Sequence, residues 1–177
     1  MYKDLIKLIK DFPTQGINFL DITPMLLDAD AFHSVCDDIA SLAERFSPQV
    51  IVGPESRGFI FGVSVAYKLH AGFHMLRKKG KLPDDGTQIC FSADKEYGSS
   101  EFVVNKSDLQ SLLNKGLKDI VIIDDVLATG ETTLEIAKFY QSQGFNVKAI
   151  ITAIDINIGG AELLRNDSFD AHSVISY

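Results

Sequence analysis

The chain has 177 residues, 46% of them apolar and 23% charged, with a formal net charge of −7. That length suits one domain with a full core, and the acidic balance argues against non-specific nucleic-acid binding, which works by neutralising phosphates. No apolar run approaches the roughly 18 residues that cross a bilayer, Cys36 and Cys90 are too few and too distant for a disulfide framework or a zinc site, and the start MYKDLIKLIKDFP lacks the pattern of a signal peptide. A cytoplasmic protein with two reduced, buried thiols is expected.

Taken in chain order, residues 2–10 predict a helix with Leu5, Ile6, Leu8 and Ile9 near one face, broken by DFPTQG. Residues 31–46 predict a second helix, with Phe32, Val35, Ile39, Leu42 and Phe46 at three- and four-residue spacing and Pro48 after its end. QVIVG is a short strand ending at Gly53, residues 58–69 return to helix, and GFHML is a strand running into the basic cluster RKKGK. Residues 88–93 and 101–105 predict an antiparallel hairpin around the polar tip DKEYGSS. Residues 120–124 give the clearest strand, 132–143 a helix, 146–154 a strand, and the tail a short helix and a last strand near HSVISY.

Strands alternating with helices predict an α/β fold, a mostly parallel central sheet flanked by helices. Ligands of such sheets bind beyond the carboxyl ends of the strands. Two polar loops follow strand ends here, GPESRG and the stretch DDVLATGET after VII. The second enters a helix, whose first N–H groups have no internal partner and whose dipole favours an anion. Thr129, Gly130, Glu131 and Thr132 therefore read as a phosphate cradle, with Gly130 supplying an unusual backbone angle. It is not a Walker loop, because no GxxxxGK is present. Asp124 and Asp125 would repel a phosphate in contact, so they suit another part of the ligand: sugar hydroxyls, or Mg²⁺ directly or through water. A phosphate one sugar away from two carboxylates describes a ribose 5-phosphate. The competing reading of this stretch alone is a capping Asp beside a chance neighbour.

VIIDDVLATGET resembles the phosphoribosyl-pyrophosphate motif of type I phosphoribosyltransferases. DFPTQGINFLDITPMLLD, GPESRGFIFG, RKKGKLP, EYG and HSVISY occur in the order of the adenine-using branch of that family, so the likeness spans Asp11 to Tyr177. It implies a type I phosphoribosyltransferase fold over residues 1–177, with a small base-binding hood at 11–27 and a flexible lid hairpin at 88–104. It implies transfer of phosphoribose from phosphoribosyl pyrophosphate to a purine base, adenine first, with hypoxanthine or guanine as alternatives. A non-catalytic sensor of phosphoribosyl pyrophosphate is the less favoured class.

Residue by residue, the likeness implies that Ala128 to Thr132 bind the 5-phosphate and that Asp124 and Asp125 hold the ribose. Glu55, Ser56 and Arg57, with Arg77, Lys78 and Lys81 across a homodimer interface, would bind pyrophosphate, and a cis peptide is expected at Glu55–Ser56. Asn18, Phe19 and Arg57 would meet the base, and Glu96 would handle the purine N7 proton. Mg²⁺ is expected to bind mainly through phosphoribosyl pyrophosphate and water, with no direct protein ligand. The chain departs from the family pattern at four places. Leu20 stands for a common Arg, Asn18 for an apolar residue, and Glu131 for a second glycine, its side chain expected to point outward. Pro54 stiffens the approach to the pyrophosphate loop.

Overall fold

The computed structural model describes residues 2–12, 14–16, 18–95 and 98–177, with backbone alone at 94, 95, 98 and 99. The chain divides into two compact units, Met1–Asp38 and Ile39–Tyr177.

The first unit corrects the reading of residues 2–10 as a helix. Tyr2–Leu5 is a single 3₁₀ turn, and β1 (Lys7–Ile9) pairs antiparallel with β2 (Phe19–Asp21). Nine residues are too few for a self-standing helix. Ile6 is buried while Leu8 and Ile9 are exposed, so no continuous apolar face exists to hold one. A helix not anticipated from the sequence, α1 (Thr23–Leu27), starts where Asp21 Oδ1 accepts the Thr23 N–H at 2.9 Å and a proline occupies its first turn. The next helix, α2 (Ala29–Glu44), begins two residues earlier than expected. Asp28 explains the earlier start: its carboxylate accepts the Ala31 N–H at 2.9 Å, satisfying an orphan donor. Leu20 is buried, so this departure exchanges a charged donor for a core side chain.

The second unit is built on seven strands. They are β3 (Val50–Pro54), β4 (Gly72–Lys78), β5 (Gln88–Lys95), β6 (Gly98–Asn105), β7 (Asp119–Leu127), β8 (Asn146–Asp155) and β9 (Ala171–Ser176). Their order is β5-β6-β4-β3-β7-β8-β9. The run β4-β3-β7-β8-β9 is parallel, and the β5–β6 hairpin adds antiparallel to the β4 edge. Four helices complete it: α3 (Gly58–Lys68), α4 (Lys106–Asn114), α5 (Glu131–Ser142) and α6 (Gly160–Asn166). The expected mostly parallel sheet flanked by helices is the architecture found. Ile120 to Ile123 are buried without a break, as a strand covered on both faces requires.

Three boundaries differ in ways that bear on function. β7 runs on through Leu127, so Asp124 and Asp125 lie within the strand and not at its end. β4 continues through Arg77 and Lys78, which leaves only the end of the basic cluster in a turn. The hairpin strands extend to Lys95 and Gly98, and Ile89, Phe91, Ala93, Phe102 and Val104 join the core. Phe91 stacks on Phe139 of α5 with centroids 3.9 Å apart. Cys90 alternates to the outer face and is exposed, contrary to expectation, while Cys36 is buried. The helix α4 was unforeseen because KSDLQSLLN carries only three apolar residues.

Candidate active site

β3 and β7 are neighbours whose connections leave in opposite directions. β3 leads through α3 to β4 on one side, and β7 through α5 to β8 on the other. Such a reversal opens a crevice at the carboxyl edge of the sheet. Both polar loops singled out in the sequence arrive there.

One wall follows β3. The Glu55–Ser56 peptide is cis, as the family likeness implied. Arg57 then caps α3, and its Nε lies 2.7 Å from Oδ2 of the buried Asp125 on β7. The N–H is not aligned on that oxygen, so the contact is an ion pair without a well-formed hydrogen bond. The Asp125 N–H donates to Asp124 Oδ1 at 2.9 Å. Desolvation first, and the neighbouring Asp125 charge second, hold the Asp124 carboxyl well above the usual carboxylate range; the Asp125 N–H and Arg57 oppose this without overcoming it. Gly58 makes the wall possible. A Cβ there would come within 2.9 Å of Asp124 Oδ1 and 3.0 Å of the Ile123 carbonyl. Only a glycine lets the first turn of α3 approach β7 so closely.

The second wall follows β7. Gly130 has φ +82°, the left-handed region, and caps α5. The Leu134 N–H donates to the Gly130 carbonyl at 2.8 Å, so the helical ladder begins there. The N–H groups ahead of it lie at the positive end of the helix. Thr129 and Thr132 are half-buried, and Glu131 is exposed, which accords with an outward carboxylate.

Glu55 joins the β3 loop to the basic stretch. Its Oε2 accepts the Lys78 N–H at 2.9 Å and meets Arg77 Nε at 3.1 Å. Burial raises the Glu55 pKa, but the Lys78 N–H and the Arg77 guanidinium outweigh it and hold the carboxyl below its ordinary value. Arg77 also lies 5.9 Å from the Phe59 ring. Lys78 and Lys81 are exposed, and Lys79 pairs with Glu101 at 2.8 Å. Asn18 is exposed and Phe19 half-buried in the first unit, where Phe19 meets Phe12 edge-on at 5.3 Å. Glu96 lies outside the described residues. Among the described residues, no group of three or more His, Cys, Asp or Glu is placed to hold a metal ion. Sequence reasoning missed Glu55 as the hub of this wall, and it missed Gly58. A buried carboxylate partner and a close backbone approach leave no local pattern in a sequence.

A reversal of strand order, the buried Asp125 beside half-buried Asp124 and a left-handed helix start together define an α/β protein with a polar crevice at the carboxyl edge of its sheet. The family model described as "Phosphoribosyl transferase domain" matches residues 25–170, and the chain belongs to that family. Within it, the chain is 39% identical over 176 residues to an adenine phosphoribosyltransferase of Clostridium kluyveri, covering 99% of this chain and 97% of that one. The crystal structure of adenine phosphoribosyltransferase from Thermoanaerobacter pseudethanolicus superposes with a TM-score of 0.86 at 35% identity, covering 99% and 98% of the two chains. APRTase from Giardia lamblia, solved complexed with 9-deazaadenine, gives 0.86 at 32% identity over 99% and 96%.

Proposed function

We propose that the protein salvages adenine: it transfers the phosphoribosyl group of phosphoribosyl pyrophosphate to adenine, giving AMP and pyrophosphate. The observation that carries this reading is Arg57 against Asp125, beside Asp124, on the strand that leads through left-handed Gly130 into the start of α5. Relatives and structural neighbours named adenine phosphoribosyltransferase support the choice of base.

In this reading Ala128, Thr129, Gly130, Glu131 and Thr132 hold the 5-phosphate by backbone N–H groups and the two threonine hydroxyls. Asp124 and Asp125 accept the ribose hydroxyls, and the Asp125 carboxylate beside Arg57 favours a cationic sugar in the transition state. Glu55, Ser56 and Arg57 shape the pyrophosphate end, with Arg77, Lys78 and Lys81 supplying positive charge. Asn18, Phe19 and Arg57 face the base, and Glu96 receives the purine N7 proton. Residues 11–27 serve as hood. The hairpin 88–104 serves as the lid, and Ile89, Phe91, Ala93, Phe102 and Val104 anchor it in the core. Closure excludes water that would otherwise capture the sugar cation.

The donors around Asp124 and Asp125 are hard oxygens, which fit Mg²⁺ held chiefly by the ligand and water. When bound, Mg²⁺ neutralises pyrophosphate charge and orients the two ends of the substrate. No helix among the described residues is long and apolar enough to cross a membrane, and a cytoplasmic homodimer is the setting this reading requires.

The test is nucleotide formation from phosphoribosyl pyrophosphate and Mg²⁺ with adenine, hypoxanthine, guanine and xanthine in parallel. Strong preference for adenine is expected. Preference for another purine would put Asn18 and Leu20 at the centre of specificity, and binding without turnover of any base would make the protein a sensor.

A further inference from the structure

The start of α6 approaches the turn at residues 128–130 through Gly160. Gly160 is buried, and a Cβ on it would overlap the Ala128 carbonyl oxygen while standing 3.0 Å from Leu127 Cγ. In return, a Cβ on Gly130 would stand 2.8 Å from the Gly160 carbonyl oxygen and 3.0 Å from its Cα. Backbone therefore lies directly on backbone, with no side chain between. The Ile156 N–H donates to the Leu127 carbonyl at 3.1 Å, so the two chains are also bonded just before they touch. The supporting loop is itself anchored: Leu164 of α6 is fully buried in the same core as Leu127 and Leu134. Gly159 differs. Its φ is +101°, but a Cβ there would meet nothing within 4 Å.

We infer that Gly160 is a positioning residue for the 5-phosphate: it forms the floor on which the Ala128–Gly130 turn rests and so sets where the N–H groups of residues 129–132 converge. This rests on reading residues 128–132 as the phosphate site. An anion held by several N–H groups is sensitive to shifts of a few tenths of an ångström, since each bond weakens steeply off its optimum. An added methyl under Ala128 has no flexible neighbour to displace, because the obstacle is backbone. The turn itself must move.

The experiment compares the wild type with Gly160→Ala, Gly159→Ala and Gly116→Ala. Gly116 is a remote glycine with φ +74° and open space around it, so it controls for loss of stability. The readings are KM for phosphoribosyl pyrophosphate, KM for adenine, the Kd of ribose 5-phosphate, and the unfolding temperature. Gly160→Ala is expected to weaken ribose 5-phosphate and phosphoribosyl pyrophosphate at least tenfold while KM for adenine stays within about twofold. The two controls are expected to lower the unfolding temperature without that selective loss. Equal loss in all three variants, or none in Gly160→Ala, overturns the inference. Thr129→Ala and Thr132→Ala separate it from the reading beneath: if neither weakens ribose 5-phosphate, the phosphate site is elsewhere, whatever Gly160 does. Should Gly160→Ala fail to fold, amide hydrogen exchange of the wild type decides. Ribose 5-phosphate should then slow exchange at residues 159–161 together with 129–132, and slowing at 129–132 alone overturns the floor.

Discussion

At the scale of single residues, Asp124 and Asp125 show how neighbours in sequence acquire different physics. Successive strand residues point to opposite faces. Asp125 meets the Arg57 guanidinium at 2.7 Å, whereas Asp124 is desolvated and faces the Asp125 charge, which raises its pKa. A folded-state carboxyl pKa above the unfolded value of about 3.9 means that the native state binds the extra proton. That contribution to stability is whole below the unfolded value and is lost as pH rises through the folded one. Denaturant midpoints of the ligand-free protein should therefore carry a component that declines with rising pH above the ordinary carboxylate range. Asp124→Asn should lack it, and superimposable pH profiles for the two proteins would refute the assignment. The motif was readable in the sequence; that packing desolvates the Asp124 carboxyl and raises its pKa was not, because burial depends on elements distant along the chain.

At the scale of elements, α5 is tied to the rest of the sheet by a polar bond inside an apolar layer. His74 Nδ1 on β4 lies 2.7 Å from the Tyr140 hydroxyl on α5. Burial lowers the His74 pKa, against the raising effect of Asp108, and burial raises that of Tyr140. The ring is therefore neutral and the phenol protonated, so each group can donate or accept and a hydrogen bond joins them in either tautomer with Nδ1 engaged. Tyr140→Phe removes the partner of His74 Nδ1 and should cost about 1–3 kcal/mol in urea unfolding. A change within a few tenths would show that water replaces the hydroxyl. The periodicity of α3, α5 and β7 was legible because each is long and strongly patterned. The error at residues 2–10 arose because a short segment with four apolar positions fits two periods at once, and pairing with β2 decided between them.

At the scale of the whole molecule, the second unit leaves apolar side chains in water on the α3–β4 side of the sheet. Tyr67 is 87% exposed, Val63 49% and Met75 47%. Exposed large apolar side chains of this kind suit a contact surface, and under the proposed activity its occupant would be a second copy of the chain, since Arg77, Lys78 and Lys81 lie on β4 and the turn after it. Sedimentation should give a dimer, and Tyr67→Asp should yield monomers with an unchanged fold, because Tyr67 touches little in a single chain. A wild-type monomer with full activity would exclude any role for basic residues supplied across an interface.

The sequence by itself determined the α/β class, the polar loops after β3 and β7, and the turn at Gly130, because these follow from local periodicity, glycine and the chemistry of neighbouring residues. Tertiary structure alone decided that Glu55 binds Arg77 and Lys78, that Asp125 faces Arg57, and that Gly58 and Gly160 stand where no Cβ fits. Each of those depends on two backbones brought together from distant parts of the chain. A close approach of that kind is a property of packing, and neither composition nor spacing along one strand or helix carries it.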